Sequence, residues 1–283
     1  MKNPVSVKKI AAGIGIGSLL MTGTAFYISY RIIHPKRRPQ DLTPRDFDLD
    51  NYKKVEFKSK DGTLLKGWLI EAEEPRGLVI LSHGYSFDKQ SMLPGAKELV
   101  KNNYSCLLFD YRAHGESKGD KTTIGILEQD DLIAASDFAR NFSDKLYIIG
   151  VSMGAATAIM AAPKISGLKA IVADSSFQKL KDIIYRKSPI LTGLIVHFMK
   201  IHGVDVEKSE PINCADKLNV PVLFIHGDKD DLVPFEDSEK LFEKAKDPKE
   251  LWIVKGGIHG RSYFVDRKEY SKKVIDFLNK HSS

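Results

Sequence analysis

The chain has 283 residues, of which 42% are apolar, and it carries a formal net charge of +6. That length and composition allow a full hydrophobic core and exclude a disordered chain. The charge excess lies in residues 1–40, which hold seven Lys and Arg and no acid, so residues 41–283 are nearly neutral. A nearly neutral body argues against a nucleic-acid partner.

The first predicted element is a hydrophobic helix over Ile10–Tyr30. These 21 residues carry no charge and have basic residues on both sides. As a helix they would span about 30 Å, the thickness of a bilayer core. Tyr27 and Tyr30 would then lie at an interface, where aromatic residues are enriched. We therefore expect a single-pass N-terminal transmembrane helix that anchors the protein in the cell membrane.

A cleaved signal peptide is the alternative interpretation, because Gly23-Thr-Ala25 has the small residues of a cleavage site. The apolar run continues through Phe26–Tyr30, which favours an uncleaved anchor. The basic residues on the two sides balance, so the positive-inside rule does not decide which side of the membrane the rest of the chain occupies.

The Pro-rich, charged segment His34–Pro44 predicts an extended spacer after this helix. We accordingly divide the chain into an anchor and basic spacer, residues 1–40, and one domain, residues 41–283. The anchor has no face suited to packing on a polar surface, so we expect the domain to fold and work without it.

The domain opens with a predicted hairpin, in which Lys53–Ser59 and Leu64–Ile70 flank Asp61-Gly62. From Gly77 onward, apolar strands alternate with helical patterns, which predicts a mostly parallel sheet covered by helices on both faces. The predicted crossover helices start near Lys89, Leu127, Ser152, Phe235 and Asp266.

A tight turn with a serine at its apex is predicted at Gly150-Val-Ser152-Met-Gly154. The apolar run Leu146–Ile149 precedes it and the small-residue run Ala155–Ala162 follows it. Strand, turn and helix in this order are typical of a nucleophile elbow, in which flanking glycines relieve the crowding of a sharp turn. The pentapeptide is a weak signal by itself, so the rest of the chain must supply a base and an acid.

Two further strands end in side chains that could activate Ser152. Asp230 follows the predicted strand Val220–His226, and His259 follows the strand Glu250–Val254. Because the carboxyl ends of parallel strands meet at one edge of a sheet, we expect both to approach Ser152. The sequence therefore predicts a Ser152–His259–Asp230 triad.

Other residues compete for the role of the acid. Asp228 and Asp231 are neighbours of Asp230 that should point elsewhere. Asp174 ends another strand and is the runner-up, with a loop anchor or helix cap as its structural interpretation. The remaining strand-end and loop histidines are expected to hold loops together: His83, His114 and His226.

An oxyanion hole needs two fixed N–H donors. One should be the N–H of Met153, next to the nucleophile, and the other the N–H of Tyr85, in the loop after the strand Gly77–Ser82.

In chain order these motifs resemble the α/β hydrolases, in particular the serine esterase, lipase and prolyl-oligopeptidase-like group, of a membrane-anchored bacterial type. The matching motifs are His83-Gly84, Phe109–Ser117, Gly150–Gly154, His226–Asp230 with Val233-Pro234, and Gly257-Ile-His259. Ala113 departs from the pattern, since relatives usually have glycine there. The resemblance implies an α/β-hydrolase fold with a mostly parallel eight-stranded sheet and a small helical cap, inserted at about residues 175–215.

The resulting expectation is a membrane-anchored serine hydrolase that cleaves a carboxylic ester of a small molecule or a lipid-like substrate. The alternatives are a serine peptidase or aminopeptidase, an acyltransferase with the same acyl-enzyme, and a non-catalytic binding protein on this fold. No His, Cys and acid cluster has metal-ligand spacing, and the chemistry requires no cofactor. The sequence does not indicate an oligomeric state.

Overall fold

An eight-stranded sheet forms the centre of the molecule. The computed structural model describes residues 4–39 and 41–282. The strands are β1 Tyr52–Lys58, β2 Leu64–Ile70, β3 Leu78–Ser82, β4 Ser105–Phe109, β5 Leu146–Val151, β6 Leu168–Asp174, β7 Val222–Gly227 and β8 Lys249–Val254. Their spatial order is β1-β2-β4-β3-β5-β6-β7-β8, with β2 antiparallel to both neighbours and β3 to β8 parallel. This confirms the predicted hairpin and the mostly parallel sheet.

Helices cover both faces of the sheet. The described residues form α1 Pro4–Ile33, α2 Leu93–Lys101, α3 Glu128–Ala139, α4 Met153–Ala161, α5 Leu180–Lys187, α6 Thr192–Ile201, α7 Glu236–Lys244, α8 Ser262–Val265 and α9 Arg267–Lys280. Helices α3, α4 and α7 pack in one hydrophobic core and α2 and α9 in the other. The predicted starts of the crossover helices lie within a few residues of α2, α3, α4, α7 and α9.

The strand sequences explain why the sheet is buried on both faces. All residues of β3, β4 and β7 are buried, and their alternate side chains enter the two cores. Continuous apolar strands of this kind are typical of parallel sheets sandwiched between helices. The carboxyl ends of β3, β5, β7 and β8 therefore meet at one edge.

Two helices, α5 and α6, lie within the predicted cap at about residues 175–215 and are followed by short turns. Ile195 and Met199 of α6 are fully buried against the main core, whereas Ile201, near the end of the same helix, is exposed. Helix α6 therefore buries one face, and α1 is its main partner.

Helix α1 does not behave as a free membrane anchor. Ala25, Ser29 and Ile33, spaced four residues apart, are fully buried, and the Phe26 ring packs edge-on to Phe198 of α6 with centroids 5.5 Å apart. Residues at this spacing share one helix face. The expectation that this helix has no face for the domain is therefore wrong.

No helix within residues 4–39 and 41–282 is both long and apolar enough to cross a membrane. The predicted transmembrane segment Ile10–Tyr30 is accordingly not supported as a membrane span. The side chains of Ile10 to Ile14 and of Ile16, which belong to that prediction, lie outside the described residues.

Candidate active site

The turn between β5 and α4 presents Ser152 in a strained conformation. Ser152 has φ of +54° and ψ of −115°, a region that a non-glycine residue rarely occupies. A side chain at Gly150 would collide with the backbone of Gly154, and one at Gly154 would collide with the carbonyl of Ser82. Because only glycine fits these two positions, the sequence can form the sharp elbow here.

A continuous chain of hydrogen bonds joins the three predicted triad residues. Ser152 Oγ lies 2.8 Å from His259 Nε2, and His259 Nδ1 lies 2.7 Å from Asp230 Oδ2. The ionised carboxylate can only accept, so Nδ1 carries the proton and Nε2 is free to accept the hydroxyl proton of Ser152. The three residues thus have the geometry of a nucleophile, a base and an orienting acid.

Asp230 is held by four hydrogen bonds. Its Oδ2 also accepts from His226 Nε2 at 3.1 Å, and its Oδ1 accepts from the backbone N–H groups of Leu232 and Val233 at 3.0 and 2.8 Å. Burial alone raises the pKa of this carboxyl, but the hydrogen bonds from His226 and His259 outweigh it and hold the pKa below its usual range. Asp230 is therefore ionised at neutral pH.

His226 is a contact of the triad that its sequence position did not indicate. Its Nε2–H is shared between Asp230 and the carbonyl of Val233, 3.0 Å away, and its Nδ1 lies 2.6 Å from Ser238 Oγ. The prediction that it holds loops together is correct, since it ties β7 to the turn after it. It also fixes the orientation of the acid.

Two close backbone approaches bring the acid and the base together. A side chain at Gly227 would collide with Gly257, so the turns after β7 and β8 can touch only through glycines. Asp228 strengthens this contact by accepting a hydrogen bond from the backbone N–H of Gly256 at 2.6 Å. As a result, Asp228 braces the loop that carries His259, while Asp231 is exposed.

Asp174, the alternative acid, is buried and does not contact His259. It accepts hydrogen bonds from the hydroxyls of Ser175, Ser262 and Tyr270 at 2.8, 3.2 and 3.0 Å. Burial raises the pKa of its carboxyl. The interpretation as a loop anchor is therefore confirmed, and the residue fixes the segment that follows His259.

The residues predicted to supply the oxyanion donors, Met153 and Tyr85, belong to two segments near the nucleophile. Met153 is the first residue of α4, so its N–H has no partner within the helix and stands at the positive end of the helix dipole. Tyr85 follows Gly84, at which a Cβ would lie 3.5 Å from the Cβ of Ser152. The loop after β3 thus passes the elbow at a distance that leaves room for about one methyl group.

Within the described residues, no group of three or more His, Cys, Asp or Glu side chains could hold a metal ion. The hydrogen-bond chain allows attack by a serine hydroxyl on an electrophilic centre, with a neutral histidine as the proton acceptor. Fold and site together define a serine hydrolase of the α/β type.

Comparisons with known proteins agree with this class. The family described as "Serine aminopeptidase, S33" matches residues 73–212. The protein YfhR of Escherichia coli (strain K12) is 31% identical over 79% of each chain. The chain therefore belongs to the α/β hydrolase superfamily of serine hydrolases.

Two further relatives extend the match along the chain. The uncharacterized protein YqkD of Bacillus subtilis (strain 168) is 28% identical over 96% of this chain and 98% of its own. The crystal structure of the Pyrococcus furiosus esterase Pf2001 superposes with a TM-score of 0.77, at 29% identity, over 89% of this chain and 99% of that one.

Proposed function

We propose that this protein hydrolyses carboxylic esters of small molecules or lipid-like substrates through an acyl-enzyme on Ser152. The observation that carries the proposal is the pair of hydrogen bonds that joins Ser152 to His259 and His259 to Asp230, at 2.8 and 2.7 Å. The similar Pyrococcus furiosus protein is named an esterase.

The proposed reaction has two halves. His259 Nε2 takes the hydroxyl proton as Ser152 Oγ attacks the substrate carbonyl carbon, while Asp230 holds the imidazole and stabilises its cation. The N–H groups of Tyr85 and Met153 donate to the tetrahedral oxyanion. His259 then protonates the departing alcohol, and a water that gives its proton to His259 releases the acyl group as a carboxylic acid.

An ester is favoured over a peptide because three of the four acids of the cap, all but Asp182, are engaged by neighbouring side chains. Recognition of a peptide's free amino group requires an unpaired carboxylate. Glu207 lies 3.3 Å from Lys181 and Asp205 lies 3.9 Å from Lys200. Glu210 accepts a hydrogen bond from Asn213.

The proposal is tested with a fluorophosphonate probe and a series of p-nitrophenyl esters of increasing acyl length. Wild type should be labelled and should hydrolyse at least one ester, while Ser152→Ala should do neither and should keep the wild-type melting temperature. Loss of a triad residue lowers the rate by several powers of ten. A Ser152→Ala variant that keeps a tenth of the wild-type rate would exclude Ser152 as the nucleophile.

The same assay separates the alternatives. A peptidase would cleave aminoacyl-p-nitroanilides faster than esters of similar size. An acyltransferase would transfer the acyl group to an added alcohol in preference to water, because both acceptors compete for one acyl-enzyme. Release of p-nitrophenol without labelling of Ser152 would contradict all three enzymatic assignments.

We also propose that the protein acts at the cell membrane, on a side that its charge pattern does not decide. Leu19 and Leu20 of α1, Ile190 in the turn before α6 and Ile201 at the end of α6 are exposed. Large apolar side chains of this kind insert into the interfacial region of a bilayer. Full-length protein should float with phosphatidylglycerol vesicles in a density gradient. A double Leu19→Ser, Leu20→Ser variant should float less, and wild type that stays at the bottom would contradict the proposal.

A further inference from the structure

The segment Ile32–Arg38, here called the strap, joins the end of α1 to the loop His83–Phe87 after β3, here called the oxyanion loop. Two hydrogen bonds connect them directly. The Tyr85 hydroxyl donates to the Ile32 carbonyl at 2.9 Å, and Arg38 Nε donates to the Ser86 carbonyl at 2.7 Å. The Arg38 guanidinium also lies 4.0 Å from the centre of the Phe87 ring. Three consecutive residues of the loop, 85–87, are therefore held by the N-terminal part of the chain.

The hydrogen bond from the Tyr85 hydroxyl holds the loop and also pairs a backbone carbonyl at the end of helix α1. Helix α1 ends at Ile33, so the Ile32 carbonyl belongs to the last turn and has no partner within the helix. Burial raises the pKa of Tyr85 to about 12, which keeps its hydroxyl protonated as a donor at physiological pH. The helix end and the loop therefore fix each other.

The strap also holds a second loop, residues 112–119, which contacts the oxyanion loop through His114. Arg37 donates to four backbone carbonyls, those of His114, Gly115, Ser117 and Gly119, at 2.6 to 3.1 Å. In turn, His114 Nε2 lies 3.2 Å from the Ser86 backbone nitrogen and accepts its hydrogen. The oxyanion loop is thus clamped between the strap and residues 112–119.

The clamped loop runs beside the nucleophile elbow. A Cβ at Gly84 would make ordinary van der Waals contacts with the Val151 carbonyl oxygen, 3.4 Å away, and with the Ser152 Cβ, 3.5 Å away, so a space about the size of one methyl group separates Gly84 from the elbow. Stabilisation of an oxyanion depends steeply on the position of its donors, because they act only where they are already aimed at the developing charge.

We propose that the strap is a positioning element of the oxyanion hole, which holds the N–H of Tyr85 in place relative to Ser152. This rests on the proposed function, because it assigns the strap a role only in a reaction that passes through an oxyanion. Tyr85 then has two roles: its backbone N–H donates to the oxyanion, and its hydroxyl donates to the Ile32 carbonyl of α1.

The test uses full-length Tyr85→Phe and Arg38→Ala, each with a matched control at the opposite end of the sheet. Tyr104→Phe removes a buried hydroxyl that donates to Asn279 at 2.9 Å, and Arg76→Ala removes a guanidinium that donates to the same side chain at 3.1 Å. For each protein we would measure kcat and KM on a short ester, the melting temperature, and the inhibition constant of an alkyl trifluoromethyl ketone, whose adduct on Ser152 carries an oxyanion.

Tyr85→Phe and Arg38→Ala should lower kcat about fivefold to tenfold, the range that corresponds to the loss of one hydrogen bond. Both substitutions should raise the inhibition constant of the trifluoromethyl ketone by a similar factor and leave KM nearly unchanged. Tyr104→Phe and Arg76→Ala should match wild type in kcat and in inhibition, whatever their melting temperatures.

Two results would overturn the strap assignment. One is equal kcat and inhibition in Tyr85→Phe, Arg38→Ala and their controls. The other is a rise in KM with kcat unchanged, which would mean that these side chains contact substrate in the ground state. Failure of the proposed function is distinguishable, since wild type would then neither turn over an ester nor label at Ser152.

Discussion

The carboxylate of Asp230 accepts hydrogen bonds from two histidines, His226 and His259, so a substitution of Asp230 affects both. Asp230→Asn keeps the size of the side chain but replaces an acceptor oxygen with an N–H₂ group. Either His259 would turn to the wrong tautomer or His226 would lose its partner, so we expect kcat to fall about 10⁴-fold, as in a serine protease with this change. Steady-state kinetics on a p-nitrophenyl ester measure the effect.

Asp231→Asn is the control for this prediction. Asp231 is adjacent in the chain, exposed, and outside the hydrogen-bond chain of the triad. The kcat of the Asp231→Asn variant should stay within about twofold of wild type, a change too small to reflect a lost catalytic contact. Comparable losses at both positions, or a severe loss at Asp174 alone, would contradict the assignment of the acid.

His114 should make the stability of the protein depend on pH. Burial lowers the pKa of its imidazole, so the folded state favours the neutral ring, which accepts the Ser86 N–H. For a base with a lowered folded pKa, the stabilisation is present above the unfolded pKa, about 6.5, and is lost as pH falls below it.

The contribution of His114 is measured as the difference in the free energy of unfolding between wild type and His114→Gln. The extra stability of wild type in urea unfolding should shrink between pH 7 and pH 5, by up to about 1.4 kcal/mol per pH unit below 6.5. Taking the difference cancels the titration of other groups, such as the buried carboxyls. A difference that stays constant over this range would show that His114 is not held neutral by the fold.

The elbow element depends on the approach of α4 to β3, where Gly154 faces the Ser82 carbonyl. Gly154→Ala would force these two elements apart, and we expect a loss of about 3 kcal/mol in the free energy of unfolding. Gly95→Ala is the matched control, because Gly95 lies in α2 with nothing within 4 Å of a new Cβ. Alanine there should stabilise by about 0.5–1 kcal/mol. Thermal or urea unfolding checks both values, and equal effects would contradict the packing argument.

The core of the fold and the triad could be predicted because local patterns determine them. Ser152, Asp230 and His259 each follow a short apolar strand, and the parallel arrangement of those strands brings their ends to one edge. The shared bond from His226 to Asp230 could not be predicted, since it depends on how a four-residue turn orients two side chains.

The position of α1 could not be predicted for a different reason. An uncharged apolar run has the same composition whether it contacts lipid or protein, and its partner α6 is encoded far along the chain. The informative residues were Ala25, Ser29 and Ile33, whose spacing of four marks a buried face. The strap residues Arg37 and Arg38 looked like the basic flank of an anchor, whereas they bind backbone carbonyls of the domain.

For the whole molecule, the packing of α1 reverses the expectation that the hydrolase domain works without residues 1–38. Their removal takes away the fully buried Ile33, the acceptor of the Tyr85 hydroxyl and both strap arginines. We expect kcat/KM on a short water-soluble ester to fall at least about tenfold, with a lower melting temperature. Removal of residues 1–18 alone should change neither value. Equal kcat/KM in both truncated proteins would contradict this role of the helix.

The contact between α1 and α6 also sets an order of events during synthesis. Phe26 leaves the ribosome roughly 170 residues before Phe198, which at ordinary translation rates is a delay of about 10 to 30 s. Throughout this interval Phe26 lacks its partner on α6, although the end of α1 can already meet Tyr85. The face of α1 that packs on α6 is therefore covered late in synthesis, and until then its apolar side chains are open to any other apolar surface.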